Sequence, residues 1–89
     1  MTTLPPPFTK EFPADSMEKK AYSIVEKFKE NIPIMNDRNR LGYYLFKYFI
    51  GQGDPPEISV KDAKIKVVGI SEKELIKKIE EEIKTLNIK

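Results

Sequence analysis

The sequence predicts an α+β fold that has three helices and a short antiparallel β-hairpin, in the order α-α-β-β-α. Two observations lead to this fold class. Apolar residues recur at helical spacing in three segments, and each segment carries a capping signal at one end or both. Between the second and third segments lie two short stretches rich in β-branched residues, as in a hairpin. We expect residues 14–89 to form one such domain, because a chain of 89 residues has room for one core only.

The N-terminal segment, residues 1–13, carries four of the seven prolines of the chain. Each proline fixes φ and removes a hydrogen-bond donor, so we expect this segment to be extended. Its apolar residues either pack onto the protein's own core or dock on an aromatic groove of a partner. The lack of a PxxP repeat with a flanking arginine favours the protein's own core.

The first helix is predicted by its start and its stop. Asp15 and Glu18 stand three residues apart, as in a capping box, and Pro33 ends the helical run. A stripe of apolar residues between these points predicts one buried face. The stripe comprises Met17, Ala21, Ile24, Val25, Phe28 and Ile32.

The second helix is predicted to start at Asn36 or Asp37 and to end at Gly51, since glycine commonly follows the last turn of a helix. Its segment 41–50 contains five of the nine aromatic residues of the chain. Aromatic residues also favour strands, so a strand over the same segment is the alternative. The capping signals at both ends favour the helix.

The β-hairpin is predicted from residues 57–60 and 64–70, with residues 61–63 between them as the turn. In the second stretch Lys64 and Lys66 alternate with apolar neighbours. Such alternation is typical of a strand with one face on the core and the other in water.

The last helix has the strongest start signal in the sequence. Ser71 and Glu74 form a capping box, and Ile70 and Leu75 flank it as a hydrophobic staple. Apolar residues at helical spacing then predict a buried face. This face comprises Leu75, Ile76, Ile79, Ile83 and Leu86.

The composition argues against catalysis. The chain contains neither cysteine nor histidine, so it has no disulfide, no thiolate metal site and none of the usual general bases. The glycine-containing residues 51–54 are not a phosphate loop, because a third glycine is missing and two prolines follow. We therefore expect no enzyme activity, no cofactor, no metal site and no small-molecule substrate.

The sequence also bears on location. No apolar stretch approaches the roughly 18 residues of a membrane span, and no charged-then-apolar leader opens the sequence. We expect a cytoplasmic protein that makes no membrane contact. Lysine, glutamate and isoleucine dominate the composition, which is typical of proteins from heat-loving organisms.

Segment 41–50 gives the main functional prediction, a protein-interaction module. Lys47 is its only charged residue, and a domain of this size has little material to cover an aromatic helix on every side. The partner is another protein chain or a second copy, as in a homodimer; the alternative is that the tyrosines lie at a wet rim. The predicted partner-binding residues are Tyr43, Phe46, Lys47, Tyr48 and Ile50.

Nucleic-acid binding is the alternative function. Residues 38–66 carry a net charge of +3, the only basic excess along the chain. An aromatic helix beside a basic hairpin resembles a helix-and-wing contact with the phosphate backbone, although lysines on a hairpin also serve to discourage strand pairing. The residues predicted to contact DNA or RNA are Arg38, Arg40, Lys61, Lys64 and Lys66.

Overall fold

The computed structural model describes residues 16–86, which form four α-helices and contain no strand. The predicted α+β class is therefore wrong, because this part of the chain is all-helical. The predicted extended segment 1–13 lies outside the described residues. The helices are α1 (Met17–Glu26), α2 (Met35–Phe49), α3 (Pro56–Ala63) and α4 (Glu72–Leu86).

Helix α1 is capped by Ser16, whose hydroxyl accepts a hydrogen bond from the backbone N–H of Lys19 at 3.1 Å. The predicted cap, Asp15, lies outside the described residues. The helix ends at Glu26, several residues before the predicted stop. Phe28 and Ile32 follow in turns and are nevertheless buried, so the apolar stripe continues beyond the helix that it predicted.

Helix α2 runs through the aromatic segment, as predicted, but the predicted start at Asn36 or Asp37 is wrong: the helix begins at Met35, and Ile34 before it makes no side-chain capping bond. Ile50 closes it, and Gly51 follows with a φ of 80°, the left-handed conformation that favours glycine at this place. The helix packs against α1 on one side and against α3 on another. Leu41, Leu45 and Phe49 form its buried side.

The first predicted strand of the hairpin is instead helix α3. Pro56 occupies the first turn, where a missing N–H costs nothing, and Glu57 adds an acidic residue near the helix N-terminus. Ser59, Val60 and Ala63 are buried, which is helical rather than alternating spacing. Pro55 and Pro56 therefore mark the start of a helix.

The second predicted strand is an extended stretch that pairs with no other strand in residues 16–86. Asn31 and Asp37, both earlier in the chain, bond three backbone groups of this stretch. Asn31 donates from Nδ2 to the Val68 carbonyl at 2.9 Å, and the backbone carbonyl of Asn31 accepts from the Val68 N–H at 2.8 Å. The Lys66 N–H donates to Asp37 Oδ2 at 2.9 Å. These bonds replace the neighbouring strand that the alternation predicted.

Helix α4 begins where the capping box predicted, because the Glu74 N–H donates to the Ser71 hydroxyl at 3.0 Å. Its apolar face packs into the core, except that Leu86 is 37% exposed. One core joins the four helices. It comprises Ala21, Ile24, Val25, Phe28, Ile32, Leu41, Leu45, Phe49, Val60, Ala63, Leu75, Ile76, Ile79 and Ile83.

Candidate protein-binding face of helix α2

The side of α2 that turns away from its buried leucines carries most of the predicted partner-binding residues. Tyr43, Phe46 and Ile50 follow one another at intervals of three and four residues, so they share one side of the helix. Leu41 stands two residues before Tyr43, which is a rotation of roughly 200° about the axis. We call Tyr43, Phe46, Lys47 and Ile50 the outward face.

Ring and charge contacts order the outward face. The ring centroids of Tyr43 and Phe46 are 6.5 Å apart, and the Lys47 ammonium lies 5.8 Å from the Tyr43 centroid. A cation at this distance is attracted to the ring. Lys47 Nζ also donates to Gln52 Oε1 at 3.2 Å. The only charge of the face is therefore held by its neighbours within the fold.

Exposed apolar side chains lie at both ends of α2. Ile50 is 40% exposed at the C-terminal end, and at the N-terminal end Met35 is 59% exposed and Ile34 44%. Asn39, between them, is 6% exposed, and its Oδ1 has no hydrogen-bond partner among the described residues. The exposed apolar side chains of α2 therefore form two separate groups, one at each end of the helix. The C-terminal group belongs to the outward face and is the one with aromatic neighbours.

Tyr48 does not join the other predicted partner-binding residues. It is half-buried, and its ring centroid lies 6.1 Å from that of Phe49, on the buried side of the helix. Together with Pro55, Pro56 and Ile83 it lines a groove of about 480 Å³ beside α4. Tyr48 stands two residues from both Phe46 and Ile50, which is a rotation of roughly 200° about the helix axis, so it does not lie on the outward face.

The loop after α2 folds back against the helix. The Gln52 N–H donates to the Lys47 carbonyl at 2.8 Å. A Cβ added at Gly53 would lie 2.8 Å from the Cβ of Lys47 and 2.9 Å from the backbone N of Tyr48. Only glycine fits at this approach without a shift of the backbone.

This close approach forms a pocket of about 190 Å³ between the outward face, the loop and α3. Inside it, the Ser59 hydroxyl donates to the Asp54 carbonyl at 2.7 Å and fixes the loop to α3. Six lining residues are not among the predicted site residues: Tyr44, Gln52, Gly53, Asp54, Ser59 and Asp62. A Gly-x-Gly loop directly after an aromatic helix was the available signal. The pocket is lined by Tyr43, Tyr44, Lys47, Gln52, Gly53, Asp54, Ser59 and Asp62.

Arg38, predicted to contact nucleic acid, uses its guanidinium within the fold. It donates to the Ile32 carbonyl at 2.7 Å and pairs with Glu26 at 3.3 Å. The same carboxylate lies beside the phenol of Tyr22. Burial raises the pKa of Tyr22 above its ordinary value, and the negative charge of Glu26 raises it further.

Arg40 is also bonded internally. Its Nε donates to the Ala63 carbonyl at 2.6 Å, so Arg40 holds the C-terminus of α3, and its Nη2 pairs with Asp37 at 2.7 Å. The remaining three residues of the predicted basic surface have exposed side chains, but they lie on α3 and the extended stretch instead of a hairpin. They are Lys61, Lys64 and Lys66.

Two further findings concern no single helix. Across the described helices, none has the length and apolar character to cross a membrane, and residues 16–86 hold no group of three or more acidic side chains arranged to bind a metal. Comparison with family models, curated proteins and solved structures found no match to this chain.

Proposed function

We propose that this protein is a non-enzymatic interaction module, an accessory subunit or a homo-oligomer, that binds another protein chain through the outward face of α2. The observation that supports it best is the combination of clustered aromatic rings with an isoleucine, Ile50, that is 40% exposed. Tyrosine and phenylalanine with little charge characterise the centre of protein interfaces.

Burial of apolar surface supplies the affinity in this proposal. Phe46 is half-buried and Ile50 is exposed, so both keep apolar surface that a partner removes from water. A stable interface buries about 800 Å² on each partner, which is more than one helix face offers. Loop residues beside α2 therefore belong to the same contact.

Contacts that already hold a side chain of the outward face in the free protein reduce the entropy cost of binding. Lys47 is held by Gln52 and by the Tyr43 ring, so less side-chain freedom is lost when the face is covered. The ammonium and the phenol at the edge of the face give the contact its orientation, while the apolar side chains give it strength.

A matched pair of isoleucines tests the proposal. Ile50 on α2 and Ile58 on α3 are 40% and 43% exposed, so replacing either by alanine removes similar exposed surface. We expect Ile50→Ala, Tyr43→Ala and Phe46→Ala to lower the mass in solution, measured by light scattering, or to lose a captured partner, whereas Ile58→Ala changes neither. The assignment fails if all four variants behave like the unaltered protein.

Nucleic-acid binding is the second candidate, and the exposed side chains of Lys61, Lys64 and Lys66 are the observation that favours it. Affinity for phosphates falls steeply with salt, whereas an apolar interface hardly responds. A mobility shift at low salt that disappears at high salt, and that is reduced in a triple Lys→Gln variant, would support it. No shift at low salt, or a flat salt response, would remove it.

A further inference from the structure

We propose that the pocket between α2, its following loop and α3 receives an arginine side chain of the partner. This inference rests on the proposed function, since the pocket adjoins the outward face and shares Tyr43 and Lys47 with it. It identifies the partner by its chemistry: a protein segment that presents a guanidinium group next to apolar side chains.

The size of the pocket favours one side chain. At about 190 Å³ it lies below the roughly 300–1,000 Å³ of sites that hold a cofactor or a metabolite. Its walls come from two helices and a loop that is fixed by the Ser59 bond and by the close approach of Gly53. The pocket is therefore present before a partner arrives.

The charges of the pocket favour a cation. Asp54 and Asp62 line it, and within residues 16–86 neither carboxylate takes part in an ion pair or a hydrogen bond. Lys47 is the one cation in the lining, and its ammonium is directed to Gln52 and the Tyr43 ring. Two unpaired carboxylates outweigh one occupied ammonium, so an anionic ligand is disfavoured.

The aromatic rings favour a planar cation. Tyr43 and Tyr44 have centroids 6.3 Å apart and planes inclined at 47°, so they form two adjoining walls of the pocket. Lys47 already places a cation over Tyr43. A guanidinium stacks on an aromatic face and bonds carboxylates with its planar fork of donors, which an ammonium does less well.

The test uses N-acetyl-arginine amide as the probe and N-acetyl-citrulline amide as its neutral isostere. Each is titrated into the ¹⁵N-labelled protein, and the amide signals of Tyr44, Gly53 and Asp62 are followed. We expect the arginine probe to bind in the millimolar range and the citrulline probe to bind at least about tenfold more weakly, because the charge drives the contact. The corresponding lysine probe should lie between them.

Variants separate a pocket from general charge attraction. Asp54→Asn with Asp62→Asn should weaken the arginine probe by about fivefold or more, whereas Glu74→Gln on α4 should leave it unchanged. Lys47→Met keeps the length of the side chain but removes the competing cation. It should strengthen binding of the probe about two- to threefold, an effect that a purely structural role for Lys47 does not give.

The outcomes distinguish the pocket from the face. Equal binding of both probes, or an unaltered affinity in the double Asn variant, overturns the arginine site. If Ile50→Ala still changes association in that case, the outward face stands without it. If the arginine probe binds as expected but Ile50→Ala and Phe46→Ala leave association unchanged, the pocket is no partner site and the inference is overturned with the proposed function.

Discussion

The two halves of α2 use their polar residues in opposite ways. In the first half, the charged side chains are bonded within the fold. Asp37 bonds the extended stretch, Arg38 bonds Glu26 on α1, and Arg40 bonds the end of α3. In the second half, the rings of Tyr43 and Phe46 are partly exposed, although Phe46 also packs against the core, and one cation is held beside Tyr43. In our proposal the first half of α2 is structural, and the second half binds the partner.

The difference shows that charged residues on a helix do not by themselves form a charged binding surface. Arg38 and Arg40 gave the sequence its basic region, yet each donates to a backbone carbonyl that would otherwise lack a partner at a helix end or turn. We therefore expect substitutions in the first half to change stability and those in the second half to change association.

The largest expected effect is at Asp37. This carboxylate is buried and accepts from both the Arg40 guanidinium and the Lys66 N–H. Asp37→Ala leaves both donors without their acceptor, so we expect a loss of about 2–4 kcal/mol in the free energy of unfolding. Urea denaturation measures it, with the exposed Asp62→Ala as control, expected within about 0.5 kcal/mol. Equal losses in the two variants would contradict the structural role of the first half.

A smaller loss is expected at Gly53, on the loop that shapes the second half. The added methyl group of Gly53→Ala meets the Cβ of Lys47 and the backbone of Tyr48, so the loop must move. We expect about 1–3 kcal/mol, by analogy with overpacking in a core. The pocket should also change, seen as a loss of arginine-probe binding. Gln52→Ala, one residue earlier, should stay within about 0.5 kcal/mol; a Gly53→Ala variant that matches it would mean that the loop is not closely packed.

The smallest stability effect is expected at Lys47. Lys47→Met removes the contact with the Tyr43 ring and the bond to Gln52, both at an exposed site. We expect a change of no more than about 1 kcal/mol in the free energy of unfolding. A loss as large as that of Asp37→Ala would erase the distinction between the two halves.

The sequence predicted what depends on near neighbours. The start of α4 follows from the Ser71 cap, and the end of α2 follows from Gly51, both of which are signals within a few positions of the helix. The alternation of lysine and apolar residues around Lys66 predicts a strand, and the stretch is extended but unpaired with another strand in residues 16–86. Its backbone partner is Asp37, 29 residues earlier, and nothing near Lys66 in the sequence indicates that a side chain replaces a strand.

The pocket could be predicted only in part. A helix with one charge is unusual at this chain length, and this feature predicts the partner-binding residues of the outward face together with Tyr48, which the structure places on another side of the helix. The contribution of Asp54 and Asp62 depends on the loop folding back at Gly53 and on α3 being a helix. The predicted strand over residues 57–60 excludes the helix, so neither carboxylate could be assigned to the pocket from the sequence.

Site-specific photo-cross-linking tests the central claim most directly. A benzoylphenylalanine is placed at position 50 or at position 58, two isoleucine sites of nearly equal exposure, 40% and 43%, on different helices. Cross-linking is carried out in the cells that make the protein and in the purified protein. We expect a discrete cross-linked species, with a second copy or with another protein, from position 50 and none from position 58. Equal cross-linking at both positions, or none at position 50, would contradict the outward face of α2 as the partner-binding surface.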